Sequence, residues 1–544
     1  MADAVRIVEL TADEEPTAVL EPVTSEYEPR KGAEHRYIIA FAVVLAAMMQ
    51  VIDSSIVNVA LPDMMGNLGA SLDEIAWVST GYLLASVIVI PLTGFLGDLL
   101  GRKRYFVGSI VLFTVSSFFC GASHSLGALV IWRIIQGIGG GALMTVSQAV
   151  LFESFPLEEA GMAMALFGLG VMVGPTIGPT LGGWLTDNYG WPWIFYVNIP
   201  VGILAAVMIA GYVNDPAHQK RPRAIDYIGI ALLIVSVGSL QYVLEHGESE
   251  DWFASHFIAW LTVAGVVGGV LLIWRELTTE HPVIDFRVLK HRQMWVGTLL
   301  GVVMGIGLYA MSFTLPVFMQ GNLAMTAEQT GWILMPGALA TALSMLVVGR
   351  LTARVDPRIL ITAGALMFAA AAWKLSLITG ESGSMDFFWP LILRGVGLGF
   401  MFVPLTTITL AELSIAELPQ GTGLYNFFRQ LGGSFGIAGI ATLVSRYSAQ
   451  YHAVLAEHVT TLDATSLARV QALTRGMVAR GADPWTARAR AYRLIHAQLA
   501  GQASVIAYSR VYVLSAVIIL AIIPLLLLVR QTRGAGGGRH AVME

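Results

Sequence analysis

The chain has 544 residues, 56% of them hydrophobic and 13% charged, with a mean hydropathy of +0.69. Soluble globular proteins carry about 25% charged residues, so this composition excludes a soluble domain and points to an integral membrane protein. The formal net charge of −5 argues against a nucleic-acid partner, and the single cysteine, Cys120, excludes an intrachain disulfide and any cysteine-based metal site.

The first 29 residues are polar and acidic (ADEEPTAVLEP), and residues 1–36 are expected to form a disordered cytoplasmic tail. Apolar runs long enough to cross a bilayer follow near 37–61, 75–96, 105–123, 126–151, 160–183, 192–213, 227–245, 255–274, 294–319, 329–349, 359–379, 387–410, 418–445 and 508–530. Alternate connections carry the basic residues: Arg102, Lys103 and Arg104; Lys220, Arg221 and Arg223; Arg275, Arg287, Lys290 and Arg292; Arg350, Arg354 and Arg358. The opposite short connections (62–74, 184–191, 246–254, 320–328 and 380–386) contain no Lys or Arg. Positive charge is retained on the cytoplasmic side, so both termini, with Arg30, Lys31, Arg36, Arg530 and Arg533, are expected there. The span number must then be even. One connection, 446–507, is long and arginine-rich on the other side. Its pattern is helical, with a stop at Gly481 and a restart at Asp483-Pro484, and it is expected to form a helical hairpin off the membrane.

A faint internal repeat places Trp77, Gly94 and Leu96 against Trp332, Gly349 and Leu351 at one fixed offset, and Arg133 (RIIQGIGGG) beside Arg394 (RGVGLGF) as openings of glycine-rich spans. Two related six-span halves with two inserted spans fit this pattern: residues 37–213, the insert 214–293, and residues 294–530. Repeats of this kind place a substrate site at their interface.

Charges inside apolar spans cost about 3 kcal/mol on insertion scales and are usually paired or functional. Asp53, with Gln50, Ser54 and Asn58, forms one polar stripe on the first span, expected to face protein or water. Arg133 on the antiparallel fourth span falls at similar depth. A carboxylate beside an arginine favours its charged form, and one desolvated and alone favours its neutral form, so alternation between the two settings makes a proton carrier. A permanent ion pair that only fixes packing is the alternative. Gln136, Lys374, Arg394 and Arg429 are further polar groups within spans, with substrate-binding or structural roles open. In the fifth span Gly170, Gly174, Gly178 and Gly182 recur every fourth residue, a stripe for close helix approach, with Pro175 and Pro179 adding flexibility. After the second span, GFLGDLLGRKR requires glycine at Gly97 and Gly101 for its tight turn and sets Asp98 where it can accept from orphan N–H groups or from Arg102 and its neighbours. No GxxxxGK[ST] is present, which excludes a P-loop ATP site, and no HExxH or nucleophile elbow suggests an enzyme.

Together these segments resemble the major facilitator superfamily, in particular its fourteen-span drug:proton antiporter branch, the EmrB/QacA group, over residues 36–530. DSSIVNVALP resembles the first-span motif with Asp53 as its acid, and GFLGDLLGRKR the loop motif with Gly94, Asp98, Gly101 and Arg102. RIIQGIGGG resembles the fourth-span motif with Arg133, GVMVGPTIGPTLGG the fifth-span antiporter motif, and WPWIFYVNIP is typical of the branch. The resemblance implies an all-α membrane fold of 14 transmembrane helices in the inner membrane, two six-helix bundles plus two inserted helices. No cofactor is expected, and no metal, because no acid stands in the middle of span nine or ten, where some relatives are thought to hold a divalent cation. It also implies proton-coupled export of small amphipathic compounds by alternating access. The long loop before the last span looks EmrB-like, implying an EmrA-like periplasmic adaptor and a TolC-like outer-membrane channel as partners. Ala353 stands where the second half would carry its loop acid, which argues against symmetrical gating. The 22 Met and the 13 Trp, 16 Tyr and 23 Phe supply adaptable apolar surface for loose substrate recognition. A dedicated exporter of one metabolite, fatty acid or siderophore, or a non-transporting sensor, fits the same residues. A sensor is expected to survive loss of Asp53 and a proton antiporter is not.

Overall fold

The computed structural model describes residues 35–156, 159–214, 225–414, 416–459 and 463–529. The tails, with Arg30, Lys31, Arg530 and Arg533, and the basic residues Lys220, Arg221 and Arg223 lie outside the described residues.

Every long element is a helix. In chain order they are α1 (Arg36–Leu68), α2 (Leu72–Val89, continued by a 3-10 turn at Ile90–Leu92 and a helix over Thr93–Leu100), α3 (Arg102–Gly121), α4 (Leu126–Ser154) and α5 (Ala160–Tyr189). There follow α6 (Asn198–Tyr212), α7 (Tyr227–His246), α8 (His256–Thr278), α9 (Arg292–Asn322), α10 (Ala327–Leu351), α11 (Pro357–Leu375) and α12 (Ser384–Leu410). The last are α13 (Leu418–Glu457), α14 (Ala464–Val478) and α15 (Pro484–Leu520). Among the described residues thirteen helices are long and apolar enough to cross a membrane. With α5, 30 residues long, the bundle has fourteen membrane helices.

Local chemistry sets the helix ends. Ser71 and Glu74 form a capping box at the start of α2, as Thr326 and Gln329 do for α10, and Ser125 caps α4 through the Ala128 N–H. Gly101 has φ +91°, a conformation that side chains strain to adopt, and it lets α2 pass into α3 with no linker. Pro484 opens α15 with Asp483 as its cap, directly after Gly481 at φ +91°.

Helix and apolar run differ in extent. The first span, expected to end at 61, continues to Leu68, and α13 continues to Glu457, beyond the expected 445. The last begins at Pro484 rather than 508. Polar residues end a membrane-compatible stretch without breaking the 3.6-residue repeat, so hydropathy marks the lipid boundary and not the helix end. The 446–507 connection is therefore built from the projecting ends of α13 and α15 with α14 packed on α15.

Helix contacts fall into two groups. In the first, α1 packs on α5 and α6, and α2 and α3 both pack on α4. In the second, α9 packs on α13, α12 on α10 and α11, and α15 on α9, α11 and α13. The inserted pair, α7 and α8, pack on each other, with α7 lying against α2 and α13. The groups meet along α5 and α10, and where α13 crosses α4 and the Ile90–Leu100 part of α2. The halves are in close contact at the end that carries Arg102–Arg104, here the basic end. There a Cβ on Gly161 would lie 2.7 Å from the Gly349 carbonyl oxygen, and one on Gly94 would lie 2.6 Å from the Gln420 side chain.

Candidate functional site

Within the first group, five elements converge on one carboxylate. Asp53, in the middle of α1, has no solvent exposure, and Arg133 of α4 is 1% exposed. Arg133 Nη1 donates to Asp53 Oδ2 at 2.6 Å. Gln136 Nε2 and Asn198 Nδ2 donate to Asp53 Oδ1 at 3.0 and 2.8 Å. Gln136 Oε1 in turn accepts from Arg133 Nη1 at 2.8 Å. Arg133 Nε donates to the Val78 carbonyl at 3.0 Å, and its guanidinium lies over the Tyr82 ring, 4.2 Å from the centroid. Asn198 also donates to Ser117 Oγ, which donates to the Phe195 carbonyl. The carboxylate therefore accepts three bonds, one of them charge-assisted, in a site closed to water. Breaking a buried pair of this kind by removing one partner costs about 3–5 kcal/mol.

Helix periodicity explains why these residues meet. Arg133 and Gln136 are three residues apart on α4 and share a face. Asn198 is the first residue of α6, delivered by the short helix Trp193–Tyr196. The Asp53–Arg133 juxtaposition follows the matching depths of the two residues. Gln136, whose role the sequence leaves open between substrate binding and structure, takes part in the Asp53 network. Asn198, Ser117 and Tyr82 have no comparable signal in the sequence: neutral polar residues are common in membrane helices, and only packing shows which of them reach a charge.

The expected polar stripe on α1 divides. Asp53 turns inward, whereas Gln50 is half-buried and accepts from the Met144 N–H at 3.0 Å. Asn58 is exposed, accepting from Ser79 Oγ at 3.1 Å. The reason is angular: positions 50, 54 and 58 step by four residues, and at about 100° per residue Asp53 sits about 60° from Gln50, about 100° from Ser54 and about 140° from Asn58. The Gln50–Asn58 face becomes more exposed away from the basic end.

The fifth-span glycines form a packing seam against α1. A Cβ on Gly170, Gly174, Gly178 or Gly182 would come 2.4 Å from Val44, 2.8 Å from Val51, 1.9 Å from Ser55 Oγ and 2.7 Å from Ile56 respectively. The helix is unbroken through Pro175 and Pro179. Its other side meets the second group: a Cβ on Gly168 would lie 2.4 Å from the Met345 sulfur. Thus α5 is clasped between the helix bearing Asp53 and the opposite half.

One pairing differs from expectation. Arg102 forms its ion pair with Glu153 of α4 and not with Asp98. Glu153 is on the last turn of α4, which ends beside the turn at Gly101, and the guanidinium of a residue opening α3 points to that neighbour. Lys374 is exposed in the last turn of α11, where its charge complements the helix carbonyl end. Arg394 is half-buried, and its Nη1 has no hydrogen-bond partner among the described residues. Arg429, on α13, is 1% exposed. No group of three or more His, Cys, Asp or Glu side chains that could hold a metal ion occurs among the described residues.

Fourteen membrane helices in two six-helix groups, with an inserted pair and a buried acid–base pair, define a multi-pass membrane protein of the transporter type. The chain belongs to the Major Facilitator Superfamily, whose family model matches residues 43–437. It is 35% identical over 518 residues to the multidrug export protein EmrB of Escherichia coli (strain K12), covering 94% of this chain and 99% of that protein. It is 33% identical over 518 residues to the fatty acid resistance protein FarB of Neisseria gonorrhoeae, covering 95% and 100%. Two solved structures share the fold. The human organic anion transporter MFSD10 has a TM-score of 0.56 at 14% identity over 89% of this chain and 99% of its own. The proton:xylose symporter XylE has a TM-score of 0.57 at 12% identity over 92% and 100%.

Proposed function

We propose that this protein is a proton-coupled antiporter of the inner membrane that exports amphipathic drugs or other toxic compounds by alternating access. The observation that carries this reading is the Asp53–Arg133 pair, fully buried, on the helix that packs along the glycine seam of α5. Proton binding at Asp53 removes the charge that holds Arg133, Gln136 and Asn198 to α1. That loosens α1 against α4 and lets α5, wedged between the halves, transmit the change. Arg133 favours proton release when the pair re-forms. The lysine and arginine bias supports cytoplasmic termini, so the basic end is the cytoplasmic side and the conformer sealed there is outward-facing. The bundle boundaries are those of the repeat: residues 37–213 and 294–530 with 214–293 inserted. One proton moving down about 100 mV supplies roughly 2.3 kcal/mol, enough for a gradient of about 50-fold. The names of the EmrB and FarB relatives support export of drugs or fatty acids.

The projecting ends of α13 and α15, with α14, supply a surface for an EmrA-like periplasmic adaptor, which a TolC-like outer-membrane channel would complete. Dye accumulation in everted vesicles tests the reading: uptake should follow an imposed proton gradient and collapse with it. Uptake indifferent to the gradient removes proton coupling. Removal of residues 450–500 should abolish adaptor capture while leaving vesicle uptake intact, and undiminished capture removes the docking role.

A further inference from the structure

Among the described residues one guanidinium besides that of Arg133 is fully enclosed, and its surroundings are of a different kind. Arg429 Nη2 donates to Asn426 Oδ1 at 2.9 Å and contacts the Met144 sulfur at 3.8 Å. Among the described residues its Nε has no hydrogen-bond partner, and its charge lies 5.6 Å from the Phe402 ring centroid. No carboxylate forms an ion pair with it among the described residues. Next to it Asn426 Nδ2 donates to Gln148 Oε1 at 2.6 Å, and Gln148 Nε2 reaches only the Met164 sulfur, at 3.8 Å. Gln148 and Asn426 are also buried, at 0% and 2% exposure.

Two features distinguish this cluster from a packing device. Its donors are incompletely met: Arg429 Nε has no partner among the described residues, and Gln148 Nε2 has a thioether sulfur, which accepts weakly. A buried cation without an anion is costly unless another state supplies one. The cluster also spans the two halves: Met144 and Gln148 are on α4, and Asn426 and Arg429 are on α13. It therefore exists in closed form only while the halves meet at the basic end.

We propose that Arg429, Gln148 and Asn426 form the seat for the anionic headgroup of an amphiphilic substrate, a carboxylate or sulfonate, when the halves part at the basic end. In the parted state the amides separate, freeing Gln148 and Asn426 to donate with Arg429 to one anion while the tail lies on apolar surface. Closure turns the two amides onto each other and takes those donors away, so the anion is released toward the other side. This inference rests on the export reading and deepens it by naming the substrate class.

The test compares two dyes of one skeleton, 1-anilinonaphthalene-8-sulfonate and the neutral N-phenyl-1-naphthylamine, with full-length protein in nanodiscs and in everted vesicles. Arg429→Gln should weaken sulfonate binding about tenfold or more, because a charge-assisted bond is lost, and leave the neutral dye within about twofold. Arg429→Lys should recover part of the sulfonate affinity, which a purely structural arginine would not do. Equal losses for both dyes, or unchanged sulfonate binding in Arg429→Gln, overturn the inference while gradient-driven uptake of the neutral dye keeps the export reading. Wild-type protein that takes up neither dye overturns both.

Discussion

Asp53→Asn keeps the size of the side chain and removes its charge. In the structure the carboxylate accepts bonds from Arg133, Gln136 and Asn198 at 2.6, 3.0 and 2.8 Å. Asparagine offers one acceptor oxygen and one NH2, so either the guanidinium or both amide donors must face a donor. Arg133, 1% exposed, loses its carboxylate, and a broken buried pair costs about 3–5 kcal/mol. The guanidinium keeps the Val78 carbonyl, Gln136 Oε1 and the Tyr82 face, which places the expected cost near the lower bound, about 3 kcal/mol. That is about 150-fold in a conformational equilibrium, enough to depopulate the conformer sealed at the basic end. Spin labels on Asn67 of α1 and Glu328 of α10, in a Cys120→Ser background, report the distance between the halves at the opposite end. Both positions are exposed, and neither belongs to the buried network. The variant should populate the shorter distance at neutral pH, and wild type should move toward it only on acidification. Gradient-driven dye uptake should be lost while dye exchange without a gradient persists. A variant whose distances match neutral wild type, with uptake intact, refutes the coupling scheme.

Gly178→Val drives a side chain into Ser55, whose Oγ would be 1.9 Å and Cβ 2.9 Å from the new Cβ, so α1 and α5 must separate. Overpacking costs about 1–3 kcal/mol, and uptake should fall well below wild type at equal expression. Ser55→Gly in the same chain should restore part of it, and no rescue at all would mean the seam is not the cause. Outside the membrane, Asp226 caps α7 through the Ile228 and Gly229 N–H groups and bonds Arg275 at 2.9 Å. Burial works to raise its carboxyl, but the Arg275 guanidinium and the capping N–H groups outweigh that and hold it below the ordinary carboxylate range. A depressed folded value means that its stabilisation is present above the unfolded value, about 3.9, and is lost as pH falls through the folded value. Asp226→Ala should lower the melting temperature in detergent at pH 7 by removing a cap worth about 1 kcal/mol, and the difference from wild type should shrink below about pH 4. A gap that is constant with pH refutes the assignment.

Hydropathy and charge alone determined that this chain is a bundle of membrane helices. Lipid offers no hydrogen bonds, so each apolar run of about 20 residues must satisfy its backbone internally. The meeting of Asp53 with Arg133 was legible too, since two charges at matching depth in a low-dielectric layer have few other places to go. Chain order could not show that Asn198 and Ser117 complete that site, that Arg102 turns to Glu153 instead of Asp98, or that Lys374 stays in the open. It also could not show that Arg429 lies between the halves beside Asn426, the Met144 sulfur and the Phe402 ring. Short-range signals fix a helix and its faces. Which face meets which neighbour depends on the rotation and offset of whole helices, set by contacts such as Gly178 against Ser55 and Gly161 against Gly349, distant in sequence and expressed only once the bundle has packed.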